Sequence, residues 1–393
     1  MKQLIINNIQ VIDVETGKVE TKSVVAENGL VTEIVAGDAG EDAAKVLDGS
    51  GLYLMPGFIN CHTHLGWDGS KTDIMLQSKN DSDAISAFKY AVNMKKCLDV
   101  GLTAVRDLGM NLSNIYAKQA VDSGIIESPR LYISGQAIMA TGGHTWWCGV
   151  EADGPWEIRK AIRQQKKAGA QVIKIMASGS LPEYTMEELY TIVDESHALG
   201  LKVAAHATFG SAIERVVEAG VDSIEHGGDM TDALIEKIKE KNIPIIPTLS
   251  AVFIQAREGL EKGMPEAAVL RRRRQVANKD TWDGLKRAGE AGVTFCFGTD
   301  AGSPLVPHDR IVDELLAMKE IGITKSDLYL LQCMTVNAGK LIGDAKLGLV
   351  GEGKYADFVI TDKNPLEDIT NISALRYVVQ NGKLVRSYSR CAE

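Results

Sequence analysis

No apolar run in this 393-residue chain approaches the ~20 residues that a bilayer span requires. Residues 1–9 have neither the long apolar segment nor the small-residue cleavage site of a secretory leader, so a cytoplasmic protein without a membrane partner is expected. Cysteine is sparse. The six at positions 61, 97, 148, 296, 333 and 391 form no CxxC pair and no framework spacing, which fits a reducing compartment. Positive charge is in deficit, with 43 Lys and Arg against 52 Asp and Glu and a net charge of −9. That balance argues against a nucleic-acid partner or an anionic membrane surface. The one basic run, Arg271-Arg272-Arg273-Arg274, lies in helix-like sequence and reads as a solvated face or a contact in a homo-oligomer. Low-complexity segments are missing, and no glycine-rich dinucleotide fingerprint follows the first strand.

Short apolar runs do recur from Pro56 onward, about every 30 residues, with amphipathic stretches between them. The strand candidates are 57–64, 103–108, 131–135, 171–178, 202–207, 223–227, 244–250 and 294–300. Helix-length segments lie at 83–98, 155–168, 186–199 and 211–219. Gly101, Gly169, Gly200, Gly220 and Gly292 each stand between a helix and the next strand, where a left-handed cap ends a helix without a Cβ clash. Repeated strand–helix units require parallel strands with right-handed crossovers, and eight of them close into a (β/α)8 TIM barrel of the α/β class. A doubly wound open sheet is the alternative. Residues 1–55 and 346–393 alternate in the β manner, with turn signals at Asn28-Gly29 and Asn381-Gly382. The expected organisation is therefore a barrel over 56–345 and a small β-sandwich built from 1–55 and 346–393.

In such a barrel the chemistry sits at the carboxyl ends of the strands. His62-Thr63-His64 ends the first candidate strand, and residues two apart project from one face, so two imidazoles aim together out of the barrel. Lys174 interrupts the apolar run of the fourth strand, and His206, Glu225-His226 and Thr299-Asp300 end the fifth, sixth and eighth. Any one of these has an ordinary structural explanation, such as a snorkelling lysine or a capping aspartate. Six of them converging in the order His, His, Lys, His, His, Asp point to a metal site.

Those motifs, from Pro56-Gly57-Phe58-Ile59-Asn60-Cys61-His62-Thr63-His64 through Val172-Ile173-Lys174, His206, Glu225-His226 and Thr299-Asp300, resemble the amidohydrolase superfamily, as does the tail Gly351-Glu352-Gly353-Lys354-Tyr355-Ala356-Asp357. Within it the chain is similar to the imidazolonepropionase-related branch that includes Xaa-Pro and other dipeptidases. The resemblance implies two divalent metal ions. His62, His64 and Asp300 would hold the first, His206 and His226 the second, and a carboxylated Lys174 would bridge them. Carboxylation needs a neutral amine, which burial favours by lowering the lysine pKa. Zinc suits the histidine-rich set, with manganese or cobalt as alternatives. Two cations sharing one water would bring its pKa toward neutrality, and Asp300 would move the proton to the leaving nitrogen.

On the substrate side, the loop Thr141-Gly142-Gly143-His144-Thr145-Trp146-Trp147-Cys148 supplies His144, which related dipeptidases imply as a substrate-orienting or carbonyl-polarising residue. Trp67, Trp146 and Trp147 could line an apolar pocket or pack loops, and Arg106-Asp107 reads as an ion pair that stitches strands. Thr208 stands where relatives carry a larger polar group, so a carboxylate on the substrate would need another partner, and Arg257 and Arg310 are the candidates. The expected activity is hydrolysis of a C–N bond in a small molecule, a dipeptide or N-acyl amino acid. Another amide, a carbamate, a cyclic amide or an ester in the same site is the alternative. A silent barrel serving in assembly would have lost ligands that are all present here.

Overall fold

The computed structural model describes residues 2–109 and 111–389. The Cys391 position lies outside them, and the other five cysteines are buried and not disulfide-bonded. No helix among the described residues is long and apolar enough to cross a membrane.

Two compact units make up the chain. One gathers 1–60, 95–104 and 326–393; the other holds 61–94 and 105–325. In the first unit, strands from both chain ends share one eight-stranded sheet. Tyr53–Pro56 is its joint, running parallel to Leu4–Ile12 and antiparallel to Phe358–Thr361. Leu4, Ile6, Ile9, Val24, Leu54, Phe358, Ile360 and Val379 pack into one buried cluster, with Leu4/Ile6 and Phe358/Ile360 recurring at the period-two spacing of one sheet face. Both predicted turns form. Asn28 and Gly29 have φ of 51° and 78°, and Asn381 and Gly382 have 51° and 69°, the doubly positive pattern that follows strand twist.

The second unit is organised around a ring of parallel strands: β1 (Phe58–Thr63) and β2 (Leu102–Asp107), each of which begins three residues before that unit's bounds, then β3 (Arg130–Ile133), β4 (Val172–Met176), β5 (Lys202–Ala207), β6 (Ser223–His226) and β7 (Ile245–Ile246). β1, β2 and β3 pair in that order, as do β4 through β7. Leu108 N donates to Thr63 O, Ser134 N to Asp107 O, and Gln171 N to Ile133 O at 2.8 Å, which joins the two arcs. The eighth stave, residues 294–301, has only isolated bridges where a regular strand was expected. It still closes the ring. Ile245 N donates to Thr294 O on one side, while Cys61 N donates to Phe297 O and Asp300 N to His62 O on the other. The arrangement is a (β/α)8 barrel.

The expected helices appear as Asp83–Asp99, Gly154–Ala168, Met186–Ala198 and Gly210–Ala219. All five predicted cap glycines are left-handed, with φ from 69° to 111°. At Gly298 the reason for glycine is close approach, because a Cβ would lie 2.3 Å from Ile246 Cγ2 and 2.9 Å from His62 Cβ.

Candidate metal centre

His62 ends β1, and its neighbour of like orientation, His64, follows one step later. Their Nε2 atoms lie 3.5 and 3.1 Å from Asp300 Oδ1, so ligand atoms of all three residues fall within 4.8 Å of one another. Their other ring nitrogens are engaged from behind. His62 Nδ1 meets Glu225 Oε2 at 2.7 Å and His64 Nδ1 meets Gly109 O at 2.7 Å. Both oxygens only accept, so each Nδ1 carries a proton; that leaves His62 Nε2 a lone pair facing the barrel mouth, while His64 Nε2 meets Asp300 Oδ1.

A second pair sits alongside. His226 and His206 are 4.4 Å apart by ring centroid, and His226 is 5.0 Å from His62. His226 Nδ1 lies 2.6 Å from Thr248 Oγ1, whose own hydrogen goes to Pro247 O. The histidine is therefore the donor, and its Nε2 is left free as well. The ring series continues to His144, 4.4 Å from His206 and tilted by 30°. Backbone strain concentrates here: His226, Thr248 and Asp300 have φ of 74°, 49° and 54°, each costing about 1–3 kcal/mol in a non-glycine residue.

Lys174 lies on β4, in register with Ala204 of β5, and is 1% exposed. Its Nζ is buried and meets no hydrogen-bond partner among the described residues. Burial lowers its pKa to about 8, against the pull of the Glu225 and Asp300 charges. An ordinary buried ammonium would be paired. Burial and then the lysine charge hold His62 well below its ordinary value, burial brings His226 to about 4, and His206 is lowered too. These imidazoles are neutral at neutral pH. Burial also lowers His64, but its hydrogen bond to Asp300 overrides that and raises it, while the Asp300 carboxyl is held far below its usual range. An unpartnered amine, imidazole lone pairs and an ionised carboxylate on one face are the donor set of a divalent metal site.

Glu225 is the residue whose role the motif alone did not reveal. Besides His62 it accepts from Arg106 Nη2 at 2.7 Å and Ser223 Oγ at 2.6 Å, and Arg106 Nε donates to Cys61 O. The predicted strand-stitching arginine thus pairs with Glu225 rather than with Asp107. Asp107 instead accepts from Leu65 N and Tyr90 Oη.

The loop around His144 is framed by two short strands, Ile138–Met139 and Val150–Glu151, that the sequence did not suggest. His144 N donates to Glu183 Oε1 at 2.7 Å. Trp67 is buried, stacks 4.7 Å from His64 and lies 6.0 Å from Trp147, whereas Trp146 is exposed. Thr208 Oγ1 pairs with Ser178 Oγ. Arg257 pairs with Glu320, and Arg310 with Glu258 and Asp313, so neither carboxylate-binding candidate is free. His197 is on the surface beside Asp222; His308 is buried against Trp67 O and precedes helix Val312–Ile321.

The amidohydrolase family pattern matches residues 53–385. Ochratoxinase of Aspergillus niger is 30% identical over 373 residues, covering 85% of this chain and 75% of the relative. A solved Xaa-Pro dipeptidase with methionine bound in its active site is 28% identical, with a TM-score of 0.87 over 98% of this chain and 100% of its own. A prolidase complexed with N-methylphosphonate-L-proline is 30% identical, with a TM-score of 0.87 and the same coverage. On a match that takes in the whole barrel and much of the terminal sheet, this chain belongs to the amidohydrolase family.

Proposed function

We propose that this hydrolase of the amidohydrolase family is a binuclear metal-dependent enzyme that cleaves the C–N bond of a dipeptide or N-acyl amino acid. The observation that carries the reading is the orphaned Lys174 amine, buried beside imidazoles whose outer nitrogens are already tied. His62, His64 and Asp300 would hold one ion, His206 and His226 the other, and Lys174 would bridge them as its carbamate. Two divalent ions, zinc for this donor set, would activate a water and polarise the scissile carbonyl.

The chain's own groups do the rest. Glu225 Oε2, Gly109 O and Thr248 Oγ1 fix the protons on the far nitrogens of His62, His64 and His226, which keeps each Nε2 turned inward. Asp300, with its side chain 19% exposed at the mouth, accepts the proton of the attacking water and returns it to the departing nitrogen. The His144 ring beside His206 would donate to the substrate's carbonyl oxygen, and Trp67 with Trp147 gives an apolar wall. The prolidase ligand, an N-substituted amino acid, supports an acyl amino acid as substrate.

The test combines metal analysis of the purified protein with turnover of a panel of dipeptides, N-acyl amino acids, carbamates and esters. Two equivalents of metal, turnover lost to a chelator and Lys174→Ala without activity are the expected results. Activity that survives with no bound metal refutes the reading. Turnover confined to carbamates or esters keeps the centre and replaces the substrate class.

A further inference from the structure

Helix Glu266–Ala277 carries the basic run, and Arg271, Arg273 and Arg274 are exposed on it. Arg272 turns the other way. Its Nε donates to Gln255 Oε1 at 2.8 Å and its Nη1 to Gln275 Oε1 at 2.9 Å. Gln255 is buried on helix Ser250–Glu258, and its Nε2 donates to Pro304 O, in the loop that leaves the eighth stave just after Asp300. Ala251 and Ile254 of the same helix pack on Ala301 and Val306. The guanidinium is thereby fixed over the segment that carries Asp300.

What it lacks is a counter-charge. Arg106, Arg159, Arg163, Arg257, Arg310 and Arg386 each meet a carboxylate. Arg272 has two neutral amide oxygens, and its Nη2 has no acceptor among the described residues. Amide oxygens set the orientation of a cation without balancing it, and a half-buried charge left so is costly unless an anion arrives. Burial and the neighbouring Arg271 push the Arg272 pKa down, and the Asp300 charge opposes them. The guanidinium is therefore held by Gln255 against the loop that follows Asp300.

We propose that Arg272 is a specificity-determining residue, an anion clamp whose free Nη2 edge takes the carboxylate of a substrate held beside Asp300. The enzyme then selects N-acyl amino acids over neutral amides of the same shape. This inference rests on the amide-hydrolase reading above. It also accounts for the small Thr208, because the carboxylate is gripped from the seventh-strand side of the mouth. Arg271 adds attraction at longer range.

The experiment uses N-acetyl-L-phenylalanine and N-acetyl-L-phenylalaninamide as probes. Binding is measured by calorimetry and turnover in parallel, on the unsubstituted enzyme, Arg272→Gln and Arg272→Lys. The acid should bind the unsubstituted enzyme at least about tenfold more tightly than the amide, as a charge-assisted hydrogen bond allows. Arg272→Gln should weaken the acid by about 10- to 100-fold and leave the amide within about twofold, with Arg272→Lys retaining part of the preference. The clamp is overturned if acid and amide bind alike, if the preference survives Arg272→Gln, if both ligands weaken together, or if the acid fails to bind at millimolar concentration. Arg272-dependent binding with neither probe hydrolysed leaves the clamp standing and removes the hydrolase reading. Equal hydrolysis of both probes does the reverse.

Discussion

Glu225→Gln is the most informative single change. Glu225 is fully buried, and its carboxylate accepts from His62 Nδ1, Arg106 Nη2 and Ser223 Oγ at 2.6 to 2.7 Å. Glutamine keeps the shape but offers one acceptor oxygen. If that oxygen faces Arg106, an amide N–H confronts His62 Nδ1–H, and the ring must move its proton to Nε2. Turned over, the amide confronts Arg106 instead. Either way the Arg106 guanidinium, 4% exposed, loses its counter-charge. Two unit charges about 4 Å apart attract by roughly 4 kcal/mol at an effective dielectric constant of about 20. Breaking a buried pair from one side costs about 3–5 kcal/mol. Urea unfolding of chelator-treated protein should show a loss of that size. The double variant Arg106→Met with Glu225→Leu, which removes both charges, should recover most of it. A Glu225→Gln protein within about 1 kcal/mol of the parent, or a double variant as weak as the sum of the singles, refutes the reasoning.

Gly298→Ala would drive a Cβ against Ile246 and His62, and overpacking of that kind costs about 1–3 kcal/mol. Because His62 is one of the atoms displaced, turnover should fall further than stability does, by at least about tenfold, and kcat measured beside the urea midpoint checks the comparison. Acid should destabilise the metal-free protein through its lowered imidazoles. The folded pKa of His226 is about 4 against 6.5 ordinarily, so between those values the unfolded chain binds the extra proton and stability falls as pH drops from 6.5 toward 4. That group alone contributes up to about 3 kcal/mol, partly offset by His64, whose raised pKa acts in the opposite sense. Melting temperatures of chelator-treated protein at pH 7 and pH 5 test the sign, and an unchanged or higher value at pH 5 is inconsistent with neutral buried imidazoles.

The staves and most of their terminal polar residues were legible because a histidine, lysine or aspartate in an apolar run stands out against its neighbours. Helix ends were legible too, since a left-handed glycine cap is a local requirement. The eighth stave read as a regular strand because Thr294-Phe295-Cys296-Phe297 has strand composition, whereas Asp300 at positive φ takes the chain out of the ladder. The Glu225–Arg106 pair joins residues 119 apart, and no local pattern encodes such a separation. Nor does a run of four arginines show which one turns inward, because that depends on Gln255 from another helix.

The line where the barrel's first strand meets its last stave is held by three backbone bonds: Cys61 N to Phe297 O, Asp300 N to His62 O and His64 N to Ala301 O. His62 and His64 stand on one lip of that line and Asp300 on the other. Anything gripped by all three side chains straddles the join and works as a clasp on the cylinder, so filling the pocket and fastening the wall become one event.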